Sequence, residues 1–551
     1  MKRIIYTIVL TIFLIGISAF AFNIKPAKTD WTGTVYIRAD GTIDPEGAPI
    51  QRNGDVYTLT DNITSYNDAI IIERDNILLD GAGFVIQSSP NAQGYYYKGI
   101  AIQHRRNVTI CNMKIIGFGN AIYSANSSHC SYFSNKIKIA DYGIHVINSH
   151  NNLISKNTIE TAYCIYLEDS HFNVIDDNTL ANFTTYDIAY GIVMLRSHNN
   201  SFIENRVERT EFGIYIIGSN NTISGNRVVD NQVRSIKIDS PQNVIQNNYV
   251  SGPQSGQGIH LDGDENFVSG NRIVDVDGEG ITIMAFKNII CNNEIEGCDV
   301  GICIKGRPIG GEYPKNNKIF ANIIKNNWHG VGIADTSTNF IYHNNFIGNA
   351  LNVDTDSSVN IWDDGYPSGG NFWSNYVGTD TKSGIYQNKT GSDGIGDKAC
   401  SINSRNQDRY PLMAPFNKFD AGIWNSVAYN VEVISNSTVS SFYFNPDGGA
   451  FLRFNVTGDY GTMGFCRVTI PKSLMWVEDG WTITIGDQPI TNYLEFEDEN
   501  FTYLYFTYNH STKTVTIQGT HVIPEFPPSL ILPLLMISPA ALILSKRKLK
   551  L

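Results

Sequence analysis

Between residues 107 and 344 the chain repeats one pattern eleven times: N-x-x-x-x-N-x-φ, where φ is apolar. The first asparagine runs from Asn107 to Asn339, with Cys130 standing in once, and the second, Asn112 to Asn344, never lapses. Most units are 21–23 residues apart, and two are stretched to 27 and 29. A fixed period near 22 excludes a globular layered domain, because each unit has an apolar face that only its neighbour can cover. Within a unit the apolar residues alternate as in strands. A small residue followed by apolar–any–apolar recurs, as in Gly143-Ile144-His145-Val146 and Gly258-Ile259-His260-Leu261. Three short strands and tight bends make one turn of a right-handed parallel β-helix, and the spacing predicts about 11–12 turns. Turns stacked at ~4.8 Å place equivalent residues above one another, so the asparagines are expected at left-handed bends, bonded along the stack.

Outside the repeat the composition changes by region. Residues 1–21, with Lys2, Arg3 and an apolar run, read as a signal peptide. Residues 22–75 are expected to cap the open edge, 76–360 to form the β-helix, 361–416 to close it, and 417–521 to form a small β-sandwich stalk. Residues 522–551 are an apolar segment ending in Lys546, Arg547, Lys548 and Lys550, which predicts a membrane anchor with the body outside the cell. The net charge of −12 argues against nucleic acid as a partner. Glycosylation sequons stand at Asn436, Asn455, Asn500 and Asn509. Eight cysteines allow disulfides outside the cell, yet no spacing matches a zinc or redox motif, so most are expected in the core.

The repeat resembles the NosD-like β-helix family over about residues 70–415. Its most specific part follows the solenoid: Ile361-Trp362-Asp363-Asp364-Gly365, Gly370-Asn371-Phe372-Trp373, Asp393-Gly394-Ile395-Gly396-Asp397 and Asn406-Gln407-Asp408-Arg409-Tyr410. The resemblance implies the parallel β-helix and, through NosD itself, a copper-handling accessory role. The tail Ile523-Pro524-Glu525-Phe526-Pro527 resembles the Pro-Glu-Phe sorting signal of archaeal surface proteins, which implies either processing or a permanent anchor.

Four constellations are candidates for function. His150, His171 and His198 each stand two residues before the first asparagine of consecutive turns. Stacked neutral imidazoles suit copper, although a polar bend explains them as well. Asp239 and Asp262, with Lys237 and His260, lie on adjacent strands at about the carboxylate separation of retaining glycosidases. A raised pKa on one would serve acid catalysis, and an ordinary solvated face is the alternative. Tyr123, His145, Tyr166 and Tyr215 form an outward column suited to sugar rings, or simply good strand residues. Insertions near 183–190 and 306–316 are placed to wall that face. Asp380, Asp393 and Asp397 are a candidate calcium site or a capping turn. The leading expectation is a surface-anchored protein that binds a polysaccharide or cell-surface glycan without chemistry. A copper-binding accessory protein and a polysaccharide hydrolase or lyase are the alternatives.

Overall fold

The computed structural model describes residues 31–90, 96–182, 189–252, 256–306, 313–356, 358–446, 450–486 and 488–522. Both expected terminal segments, 1–21 and nearly all of 522–551, lie outside the described residues. Among the described residues there is no α-helix, and no helix long and apolar enough to cross a membrane. They form two compact units that divide between Thr222 and Ile223. Together the units hold about 13 right-handed parallel turns of ~22 residues. The excess over 11–12 comes from both ends. Parallel pairing already begins at Trp31–Thr32, and Phe372–Trp373 still pairs with Asn345–Ile347. In the segment expected to be a cap, 22–75, the described part is therefore a coil itself. Antiparallel strands Ile43–Asp44 and Ile50–Asn53 form its outermost edges, where hairpins blunt an otherwise open row of backbone groups.

One turn shows why the sequence folds this way. The long strand Tyr142–Ile147 is followed by the short strands Leu153–Ser155 and Thr158–Glu160. Ile144, Val146, Ile154 and Ile159 point inward and are fully buried. They pair in register with Ile165, Leu167, Ile175 and Leu180 of the next turn. Gly143 and Ile144 are buried one after the other, and a Cβ on Gly143 would come within 2.4 Å of Ile159 Cγ2. The side chains on either side of this pair, Tyr142 and His145, stack on the same outward face.

Side-chain ladders hold the corners. The backbone N–H and the amide Nδ2 of Asn157 both donate to Asn178 Oδ1 (3.0 and 2.9 Å), and Nδ2 also donates to Tyr132 O. In the second unit Asn248, Asn271, Asn293, Asn322, Asn344 and Asn371 repeat this rung. Each rung satisfies backbone groups that burial would otherwise leave unpaired. Two expectations need correcting. The left-handed residue is the one before the ladder asparagine: Asn151, Lys156, Phe172, Asp177 and Glu204 all have φ between 47° and 58°. The rung bonds, and not a local preference for Asn, impose that backbone. The first repeat is also shifted by one, because Asn107 and Asn112 occupy the left-handed position and Met113 donates to Asn135 Oδ1 in the rung.

The segment 361–416 ends both ladders of the second unit. Asn406 Oδ1 accepts the N–H of Asn360 and the indole N–H of Trp362. Asp408, fully buried, accepts from Asn371 N–H and Trp373 Nε1–H (both 2.8 Å) and from Tyr410 N–H. Beyond it, two five-stranded antiparallel sheets enclose one apolar core that includes Val431, Phe454, Val468 and Phe506, which is the expected sandwich. The buried Arg467 of the sandwich donates to Asp393 O and Pro367 O of the closing segment. All eight cysteines are free, and six of them are buried.

Candidate functional site

In the first unit the outward face of the long strands carries aromatic residues in two adjacent columns. Tyr123, His145, Tyr166, Val193 and Tyr215 are in register on consecutive turns, so the expected column exists and Val193 interrupts it. The second column, Tyr142, Tyr163, Tyr190 and Phe212, was missed in the sequence. Its signal was an aromatic residue directly before the small residue of four successive repeats. These four rings stack with centroids 4.9, 5.2 and 5.0 Å apart and planes within 17° of parallel. His145 lies flat against Tyr142 at 4.6 Å, while Tyr166 stands at 84° to Tyr142 and Tyr123 at 86° to His145. Stacking covers the ring faces inside the column and leaves edges and hydroxyls to the outside.

His145 Nδ1 is 2.7 Å from Asn120 Oδ1, so Nδ1 carries the proton. Burial lowers its pKa to about 4 against a weaker opposing pull from Glu168, and the ring is uncharged at pH 7. Burial likewise raises the phenols of Tyr142, Tyr166 and Tyr190, which keeps them protonated donors. The hydroxyls of Tyr123, Tyr142, Tyr163, Tyr166 and Tyr190 have no hydrogen-bond partner among the described residues. Lys98 lies 5.1 Å from the Tyr123 ring centroid and 3.6 Å from Asp68. Of the expected walls, residues 183–188 and 307–312 lie outside the described residues.

The histidine column stacks as expected, with centroids 5.0 and 5.2 Å apart and planes 3° and 25° from parallel. One nitrogen of each ring is already engaged. The N–H of His171, His198 and Ser219 donate to Nδ1 of His150, His171 and His198 respectively (2.9–3.0 Å). Nδ1 here does what Oδ1 does in an asparagine rung, which leaves the proton of each neutral ring on Nε2. Ser127, Ser149, Ser170 and Ser197 form a parallel ladder beside it, each Oγ accepting the next-lower turn's N–H. Two imidazoles on one ion bring their nitrogens within roughly 4.2 Å, at metal–nitrogen distances of about 2.0–2.1 Å. Near-parallel rings 5.0 Å apart do not converge in this way. These residues do not fit copper.

In the second unit the equivalent face is charged. Lys237 and His260 are register partners. Lys237 Nζ lies 2.8 Å from Asp239 and 3.8 Å from Asp262, and His260 Nε2 is 3.1 Å from Asp262. The four expected residues do come together, with one ammonium between the two carboxylates. Alongside them Gln257 bridges Arg234 and Glu279, and Lys305 pairs with Glu279, whose pKa is lowered despite burial. The three aspartates of the closing segment cap backbone instead of converging. Asp380 accepts from Asp393 N–H and Gly394 N–H, and Asp397 from Thr381 N–H and Lys382 N–H. Asp393 accepts from Ile395 N–H. Burial, reinforced by Asp393 and Asp397, raises Asp380 to about 7. Among the described residues no three His, Cys, Asp or Glu side chains are grouped to hold a metal ion.

The family described as "Periplasmic copper-binding protein (NosD)" matches residues 72–252 and 236–378, more than half of the chain. The chain belongs to the NosD family. No curated protein matches it. Among solved structures, the NosD-family chain is similar to the A-module of Azotobacter vinelandii mannuronan C-5 epimerase AlgE6, at 11% identity and TM-score 0.38. That likeness covers 56% of this chain and 87% of the other. It is also similar to the tailspike protein of E. coli bacteriophage HK620 in complex with pentasaccharide, at 11% identity and TM-score 0.40, over 85% and 86% of the two chains.

Proposed function

We propose that this NosD-family protein is exported, is held at the cell surface by its residues 522–551, and binds a polysaccharide on the aromatic face of its first unit without altering it. The observation that supports this reading most is the double column of rings from Tyr123 to Tyr215, with five phenol hydroxyls that have no hydrogen-bond partner among the described residues. Half-buried hydroxyls held on rigid strands keep their hydrogen-bonding capacity for a ligand while losing little freedom on binding. The periplasmic description of the family and the leader-like sequence of residues 1–21 agree with a place outside the cytoplasm. The charged face of the second unit is the alternative, as a hydrolase or lyase centre. There Lys237 already neutralises the carboxylates that such chemistry would need.

The test is binding of the purified protein to an immobilised glycan panel, with Tyr163→Ala and Tyr166→Ala as controls. Binding lost in both variants, with no reducing or unsaturated ends released, is expected. Undiminished binding by both would remove the aromatic face from consideration. Release of ends that Asp262→Asn abolishes would move the function to the charged face.

A further inference from the structure

The spacing of the missed column says what kind of polymer this face would take, and the inference rests on the glycan-binding reading above. From the geometry we infer that the ligand is an uncharged, extended β-1,4-linked glycan lying parallel to the direction in which the turns stack, with one sugar residue per turn. The rings of Tyr142, Tyr163, Tyr190 and Phe212 advance by 4.9, 5.2 and 5.0 Å per turn. That advance is set by the parallel strand ladder and not by the side chains. A β-1,4-linked chain of pyranoses with equatorial linkages advances per residue by nearly the same length as neighbouring strands in a sheet. An α-linked chain coils and loses step within two residues.

The mode of contact follows from the stacking. Because the rings of Tyr142, Tyr163 and Tyr190 are each stacked on both faces, the ligand meets edges and hydroxyls. Asn120, Tyr142, Tyr163 and Tyr190, in register on successive turns, offer one polar group per turn, and Phe212 ends the series. Tyr123 and Tyr166, nearly perpendicular to the stacked rings, stand beside that row. The charge argues for a neutral polymer. Lys98 is engaged by Asp68 and Arg196 by Glu168 and Asp169, and Asp141 adds a further carboxylate near Tyr142. A polyuronate would meet these carboxylates with no uncommitted cation among the residues just named.

The experiment is calorimetric titration of the full-length protein with cello- and chito-oligosaccharides of two to six residues, with maltohexaose as the α-linked control. Affinity is expected to climb by about fivefold for each added residue, the worth of one hydrogen bond, and to level off at four. Tyr190→Phe should bring the plateau one residue earlier, and Phe212→Tyr should carry it one residue further. Neither change disturbs the stack. A plateau already at the disaccharide, or equal binding of maltohexaose, overturns the one-residue-per-turn register while leaving glycan binding in place. Binding of no glycan in the panel overturns both.

Discussion

The same backbone turn carries rings in the first unit and ion pairs in the second. At the outward position two residues after the small residue, turns of the first unit place His145, Tyr166 and Tyr215, and turns of the second place Lys237, His260 and Thr282. One residue before the small residue the contrast repeats, with Tyr142, Tyr163 and Tyr190 against Arg234, Gln257 and Glu279. Inside, nothing distinguishes the units: fully buried Ile, Leu and Val columns and asparagine rungs fill both. Corner bonds and core therefore fix the coil, and outward columns are left to specialise. Among the described residues the first unit keeps five phenol hydroxyls without a hydrogen-bond partner, whereas the second pairs Lys237 with Asp239 and Lys305 with Glu279.

Unequal rungs would set the two units apart most visibly. Asn157→Ala and Asn293→Ala each leave buried backbone groups without partners, and each should cost roughly 2–5 kcal/mol, read as a shift in urea midpoint. A loss in one unit alone would mean that the ladders do not do the same job. Next, Tyr142→Ala with Tyr163→Ala should weaken binding of the best glycan in the panel by about tenfold or more. Lys237→Met and Asp262→Asn should leave it unchanged.

A smaller effect separates the units by pH. The folded pKa of His145 lies below the ordinary imidazole value of 6.5, at about 4, so its share of stability is complete above pH 6.5 and is lost as the pH falls through 4. Asp380 is raised from 3.8 to about 7, so its share is present below pH 3.8 and is lost as the pH rises through 7. Protection factors from hydrogen exchange should thus fall in acid around 142–166 and fall toward alkaline pH around 380–397. Each change should be roughly 1–2 kcal/mol after allowing for contact with solvent. Smallest of all is His171→Asn. The new Oδ1 replaces Nδ1 as acceptor for His198 N–H, so stability should stay within about 1 kcal/mol. His171→Ala should cost more than that, and added copper should shift the melting of neither variant.

The coil was legible because a period of about 22 residues and paired asparagines admit few other folds. The left-handed residue was misplaced because Asn is the usual left-handed residue, and that local preference pointed to the ladder position itself. In this chain Lys156, Phe172 and Glu204 adopt that backbone under the pull of the rung bonds. The expected aromatic column was found where alternation put it. Its stronger neighbour was hidden by the consecutive buried pair Gly143 and Ile144, which breaks strict alternation and leaves Tyr142 outward beside His145. The histidines were recognised as a column, but their role depends on which ring nitrogen meets a backbone N–H, and spacing alone does not carry that information.

Asp408 has a consequence for how such a chain stops. Every amide rung both receives from the turn before it and gives to the turn after it, so a stack of amides is a growing end without a natural limit. A carboxylate receives only. By finishing the row with an acid that takes up the N–H groups of Asn371 and Trp373, the protein ends it on acceptor oxygens in place of a further amide. The companion row stops on the amide Asn406, whose Nδ2 turns back to Ser358 O and Asn403 Oδ1 and is spent within the closing segment.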